Sequence, residues 1–147
     1  MKNTNVCFTD LIGKPFSDQI DICYGPDFYS CYGLLVEVYK RFGIVVPKTN
    51  IAVCACKQAS DREIETHVIK YWKKICDKPN TLLEVPTAFM IRSSDPEFSH
   101  HIGIYIGNSR FIHITRNRNV VIDRVYEWKN RIIGCYKFVG VDSEKEL

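Results

Sequence analysis

His101-Ile102-Gly103-Ile104-Tyr105-Ile106-Gly107-Asn108-Ser109-Arg110-Phe111-Ile112-His113-Ile114 reads as two strands joined by a tight turn. Successive side chains of a strand point to opposite sides, so Ile102, Ile104 and Ile106 share one face and His101, Gly103 and Tyr105 the other. On the return, Ile112 and Ile114 alternate with Phe111, His113 and Thr115. Register decides which sets meet. A three-residue turn of Gly107, Asn108 and Ser109 pairs 106 with 110, 104 with 112, 103 with 113 and 102 with 114. Every isoleucine then lies on one face and both histidines on the other, whereas a two-residue turn scrambles both sets. Glycine and asparagine also suit the positive φ that such a turn needs. The three-residue turn is therefore the expectation. It places His113 diagonal to His101, about 7–8 Å apart at the backbone, a gap two imidazoles can bridge.

Working outward, strands are expected at 85–92, 101–106, 110–115, 119–123 and 132–139, with a helical turn near Tyr126 to Lys129. Toward the N-terminus the period changes. Leu34, Leu35, Val38, Tyr39 and Phe42 recur at helical steps, Ser30 is a good N-cap, and Gly43 falls where a C′ glycine belongs. The spacing predicts a helix from Cys31 to Phe42. A second helix is expected over 61–76, with Ser60 and Glu63 as a capping box and Ile64, Val68, Tyr71 or Trp72, and Ile75 as its apolar stripe. Residues 7–29 read as turns with at most one short helix. Helices followed by a run of strands indicate an α+β fold, N-terminal helices packed on an antiparallel sheet. No repeat or linker interrupts the chain, so residues 1–147 are expected to form a single domain.

Charged residues make up 25%, and the mild formal net charge of +3 reads as solubility and only slightly favours an anionic partner; no nucleic-acid partner is expected. Arg116-Asn117-Arg118 and Lys73-Lys74 are short clusters that suit solvated faces. No long apolar run follows Met1, so neither a signal peptide nor a membrane span is expected. Synthesis in the cytoplasm follows as the expectation. Seven cysteines at irregular spacing suggest mostly free thiols. Cys54-Ala55-Cys56 is too closely spaced for a usual zinc pair and lacks matching ligands, so no metal or cofactor is expected.

Cys31 falls in the first turn of the helix that Ser30 caps. Unpaired N–H groups and the helix dipole favour a thiolate there and can stabilise an oxyanion. A cysteine at a helix start is also a common buried thiol, and two histidines on a strand face are also two solvated polar residues. If the three residues meet, a nucleophile, a base and an orienting group are in place for thiol-dependent hydrolysis. His67 and His100 have no such companions and read as bystanders.

Tyr29-Ser30-Cys31-Tyr32-Gly33-Leu34-Leu35, then Val38 to Ile44 and Pro47, resembles the nucleophile helix of NlpC-type cell-wall cysteine peptidases. His101 to His113 resembles that family's strand-turn-strand block, and Ile132-Ile133-Gly134-Cys135-Tyr136 its closing strand. The resemblance runs from about Leu11 to Phe138. Leu11-Ile12-Gly13-Lys14-Pro15-Phe16 and Gly25-Pro26-Asp27-Phe28-Tyr29 are similar to its phage-tail branch. The resemblance implies a papain-like fold and hydrolysis of γ-D-glutamyl-diamino-acid bonds in peptidoglycan stem peptides. It implies Cys31 as nucleophile, His101 as base and His113 as orienting group, with Tyr24, Tyr32 and Ser30 beside the substrate. It also implies a setting in a virion tail or at the cell wall, with tail proteins as partners. Ser30 stands where the family usually carries aspartate. A structural tail component without activity is the alternative.

Overall fold

The computed structural model describes residues 6–19, 21–48, 70–94, 100–115 and 118–140. After a 3-10 turn at Thr9–Leu11 comes one α-helix, α1 (Cys31–Arg41), followed by six strands: β1 (Trp72–Cys76), β2 (Thr87–Arg92), β3 (His100–Gly107), β4 (Arg110–Thr115), β5 (Asn119–Arg124) and β6 (Ile132–Phe138). A second 3-10 turn spans Val125–Glu127. The strands form one sheet in the order β1-β6-β2-β3-β4-β5, and every pairing is antiparallel. The α+β class is as expected.

Local chemistry fixes α1 at both ends. The Ser30 hydroxyl accepts the Gly33 N–H at 2.9 Å. At the other end Gly43 takes φ 84, its N–H donates to the Lys40 carbonyl at 2.9 Å, and the Ile44 N–H donates to the Tyr39 carbonyl at 3.0 Å. These are the two closing bonds of a Schellman motif. Leu34, Leu35, Val38 and Tyr39 are buried, and burial of each large aliphatic is worth about 1.5–3 kcal/mol. They pack with Ile104, Ile112, Ile114 and Val120, so α1 lies on the isoleucine face of β3 and β4. Gly33 admits the preceding loop: a Cβ there would collide with the Cys23 carbonyl oxygen, which also accepts the Ser30 N–H at 2.9 Å.

The opposite face carries a second core layer of Phe89, Ile91, Phe111, Ile132 and Cys135, with Tyr105 and Trp128 packed against it. The segment before α1 is tied to the far edge of the sheet. The Gly13 N–H donates to the Val120 carbonyl at 2.9 Å, and the Val120 N–H to the Lys14 carbonyl at 3.0 Å.

Two expectations are corrected. The helix expected over 61–76 does not extend to its end: Lys70 and Tyr71 are helical, but Trp72–Cys76 is strand β1, and 61–69 lie outside the described residues. Pairing to β6 overrides the local period, with Trp72 opposite Phe138 and their rings 5.1 Å apart. Among the described residues α1 is the one complete α-helix, and the expected packing of several N-terminal helices is not confirmed. The hairpin turn also differs. Asn108 and Ser109 have φ 55 and 61, and Gly107 pairs with Arg110, so the turn has two residues in type I′ conformation. The expected facing nevertheless holds, with Gly103 opposite His113 and Ile104 opposite Ile112. A bulge between Tyr105 and Gly107 absorbs the odd residue and restores the parity of the strand.

Candidate functional site

His101 and His113 meet on the face away from α1. Their nearest ring nitrogens, His101 Nε2 and His113 Nδ1, are 2.6 Å apart. His101 is 7% exposed and His113 0%. Gly103 stands opposite His113, and a Cβ on it would press against Phe111 and Ile91. Phe111 lies 4.5 Å from the His113 ring, and Trp128 meets that ring edge-on at 4.8 Å. The Arg131 guanidinium stacks over Trp128 at 4.5 Å.

This enclosure sets the charge state. Burial pushes His101 well below 6.5, assisted by the neighbouring His113 and Arg131. Burial likewise holds His113 down at about 4, against the opposing pull of Asp123. Both imidazoles are therefore neutral near pH 7.

Asp123 was missing from the sequence-derived site. Its Oδ2 lies 2.8 Å from His113 Nε2, and Arg118 donates to the same carboxylate at 3.2 and 3.4 Å. Burial alone would raise the Asp123 pKa, but the His113 N–H and Arg118 outweigh it and hold it below its usual value. Its signal was present in the sequence. Pairing 115 with 119 sets His113 opposite Val121 and diagonal to Asp123, a relation that alternation across residues 116–118 would have exposed. Arg118, read as part of a solvated cluster, is half exposed and carries this ion pair.

Cys31 opens α1 and is 2% exposed, within the layer that α1 shares with the isoleucine face. The histidines occupy the other face, by the alternation of β3 and β4. Cys31 is also disulfide-bonded. Cys7, Cys23, Cys76 and Cys135 are free, so its partner lies outside the described residues. The expectation of free thiols thus fails at Cys31. The physical reason is proximity in the fold: a second cysteine sulfur reaches Cys31, which irregular spacing along the sequence does not reveal. Cys54-Ala55-Cys56 and His67 lie outside the described residues.

The three flanking candidates have distinct places. Ser30 is buried, and its hydroxyl caps α1. Tyr32 is buried, its hydroxyl donating to the Pro47 carbonyl at 2.9 Å. Tyr24 is half-buried under the Lys48 ammonium, 5.1 Å from its ring. It borders a cavity of about 320 Å³ shared with Asp10, Lys14, Tyr29, Glu37 and Arg41. The described residues hold no cluster of metal-ligating side chains and no helix long and apolar enough to cross a membrane.

No protein-family model and no curated protein matches the chain. Solved structures share its architecture. NlpC2 of Trichomonas vaginalis aligns at TM-score 0.56 and 20% identity, over 92% of this chain and 44% of its own. NlpC1 of the same organism aligns at 0.54 and 21%, over 91% and 43%. A Staphylococcus aureus protein described as similar to lipoprotein, NLP/P60 family, aligns at 0.51 and 17%, over 93% and 41%. This chain spans less than half the length of each. Identities this low establish a shared fold: the chain has the α+β architecture of NlpC/P60 proteins.

Proposed function

We propose that the chain is a cysteine peptidase acting on the stem peptides of peptidoglycan, with the γ-D-glutamyl-diamino-acid bond as its target. Cys31 supplies the nucleophile, His101 the general base and His113 the group that orients it. The observation that carries this reading is the buried His101–His113 contact of 2.6 Å on an NlpC/P60-type fold. A neutral imidazole whose second nitrogen is held by a fixed neighbour is what a base toward a thiol requires. In the reaction Cys31 is first freed from its disulfide by exchange with an external dithiol, which is itself oxidised to a disulfide. Its thiol proton passes to His101 as the thiolate attacks the stem-peptide carbonyl. Backbone N–H groups at the start of α1 stabilise the oxyanion, and His101 returns the proton to the leaving amine. Water then hydrolyses the acyl-enzyme. This chemistry requires the reduced Cys31 side chain, buried in the layer on the isoleucine face, to reach His101 of the opposite face near the start of β3. Tyr24, Tyr32 and Ser30 line or support the substrate side of the site, and the setting is a phage tail or prophage product acting at the cell wall.

The test is release of muropeptides from purified sacculi under reducing conditions by the parent and by Cys31→Ala. Loss of release in the variant supports the peptidase. Equal release by both sinks it.

A second reading, a structural component of a tail or tail-like particle that keeps the fold without activity, is favoured by one pair of observations: Cys31 is buried and oxidised. Absence of muropeptide release by the reduced parent would select it.

A further inference from the structure

We propose that Asp123 is a positioning residue that, through His113, dictates which nitrogen of His101 is left without a hydrogen as the base. The inference rests on His101 acting as base, and its first readout is independent of activity.

The chain of hydrogen bonds has one consistent direction. Arg118 donates two bonds to the Asp123 carboxylate, at 3.2 and 3.4 Å. A carboxylate paired in this way is ionised and can only accept. His113 Nε2, 2.8 Å from Asp123 Oδ2, must therefore carry a hydrogen. A neutral imidazole has one N–H, so His113 Nδ1 presents its lone pair. His101 Nε2 stands 2.6 Å from that lone pair and must in turn carry a hydrogen. The remaining nitrogen of His101, Nδ1, is left as the acceptor. With Asp123 removed, nothing in the described contacts of His113 prefers Nε2–H to Nδ1–H.

The same carboxylate answers a charge problem. Taking up a proton at Nδ1 turns His101 into an imidazolium within a buried layer, and Arg131 adds a second positive charge across Trp128. Asp123 is the one anion that touches the imidazole pair among their described contacts, with its side chain 16% exposed. His101 keeps its Nε2–H throughout, His113 keeps its own, and the new charge is stabilised through His113 by Asp123. Phe111 and Trp128 hold the rings in register for this.

The experiment is long-range proton–nitrogen correlation on the reduced full chain, labelled with ¹⁵N-histidine, at neutral pH. His101 and His113 are both expected as Nε2–H tautomers. Asp123→Asn keeps the shape, removes the charge and should bring in an Nδ1–H population at His113. Muropeptide release should then show kcat down by about 10–100-fold with KM little changed, and Asp123→Glu should restore part of it. A parent spectrum with Nδ1–H on His113 overturns the proposal, even if no variant folds. So does an Asn variant with unchanged tautomers and unchanged kcat. An inactive parent defeats the peptidase reading instead, while the spectrum still decides the tautomer chain.

Discussion

The indole of Trp128 stands edge-on to the imidazole of His113, ring centroids 4.8 Å apart and planes at 80°. With Phe111 on another side, it completes the wall that keeps water from the histidine pair. Trp128→Ala should therefore raise the His113 pKa from about 4 toward 6.5, because burial is the largest cause of its depression. An NMR titration of the ring protons reads this directly. An unmoved titration would show that other groups set the value.

Stability should depend on pH for the same reason. His113 binds its proton at about 4 when folded and near 6.5 when unfolded, so between those values the unfolded chain holds more protons. Unfolding free energy should rise with pH across that window and be lost as the solution is acidified through it. The His113 contribution is about 3 kcal/mol, and His101, also held low by burial, adds in the same direction. Urea melts at steps from pH 4 to 7 test this; a flat profile contradicts it.

Thiol labelling should separate the cysteines by environment. Cys7 is exposed, and the Thr9 hydroxyl pulls its thiol down, so it should react first with iodoacetamide. Burial pushes Cys23 up and Cys135 up to about 12, so both should be slow. Cys31 should label only after reduction. Peptide mapping by mass spectrometry gives the order, and modification of Cys31 without reductant would refute its disulfide.

Ser30→Ala removes the hydroxyl that accepts the Gly33 N–H at 2.9 Å. The loss should cost about 0.5–2 kcal/mol of stability, the usual cost of deleting a helix cap. Thermal melts of the two proteins measure it. An unchanged midpoint would mean that another group satisfies the Gly33 N–H.

Much of this was legible in the chain itself. Ser30 and Gly43 bracket α1 because caps act through neighbours a few residues away. The isoleucines of β3 and β4 revealed the facing of the hairpin, since burial of one face enforces it. Its turn was not legible: a bulge at Ile106 preserves parity, so either turn length satisfies the same pattern. Strand β1 was hidden because its partner, β6, lies about sixty residues on, and Trp72-Lys73-Lys74-Ile75-Cys76 shows no clean alternation. At the site, the meeting of His101 and His113 followed from register. Asp123 needed the next hairpin as well. The disulfide at Cys31 could not be read, because seven irregularly spaced cysteines specify no pairing.

The two rims of the sheet are closed by different means. Backbone bonds from Gly13 and Lys14 occupy the open side of β5 at Val120, while β1 at the other rim turns Lys73 and Lys74 to solvent. A strand from a second molecule would meet backbone groups already bonded at Val120 on one side, and on the other exposed Lys73 and a Lys74 paired with Asp77. Crowding many copies together, as dense packing in a particle or a concentrated solution does, should leave each chain a separate body and not seed a shared fibre.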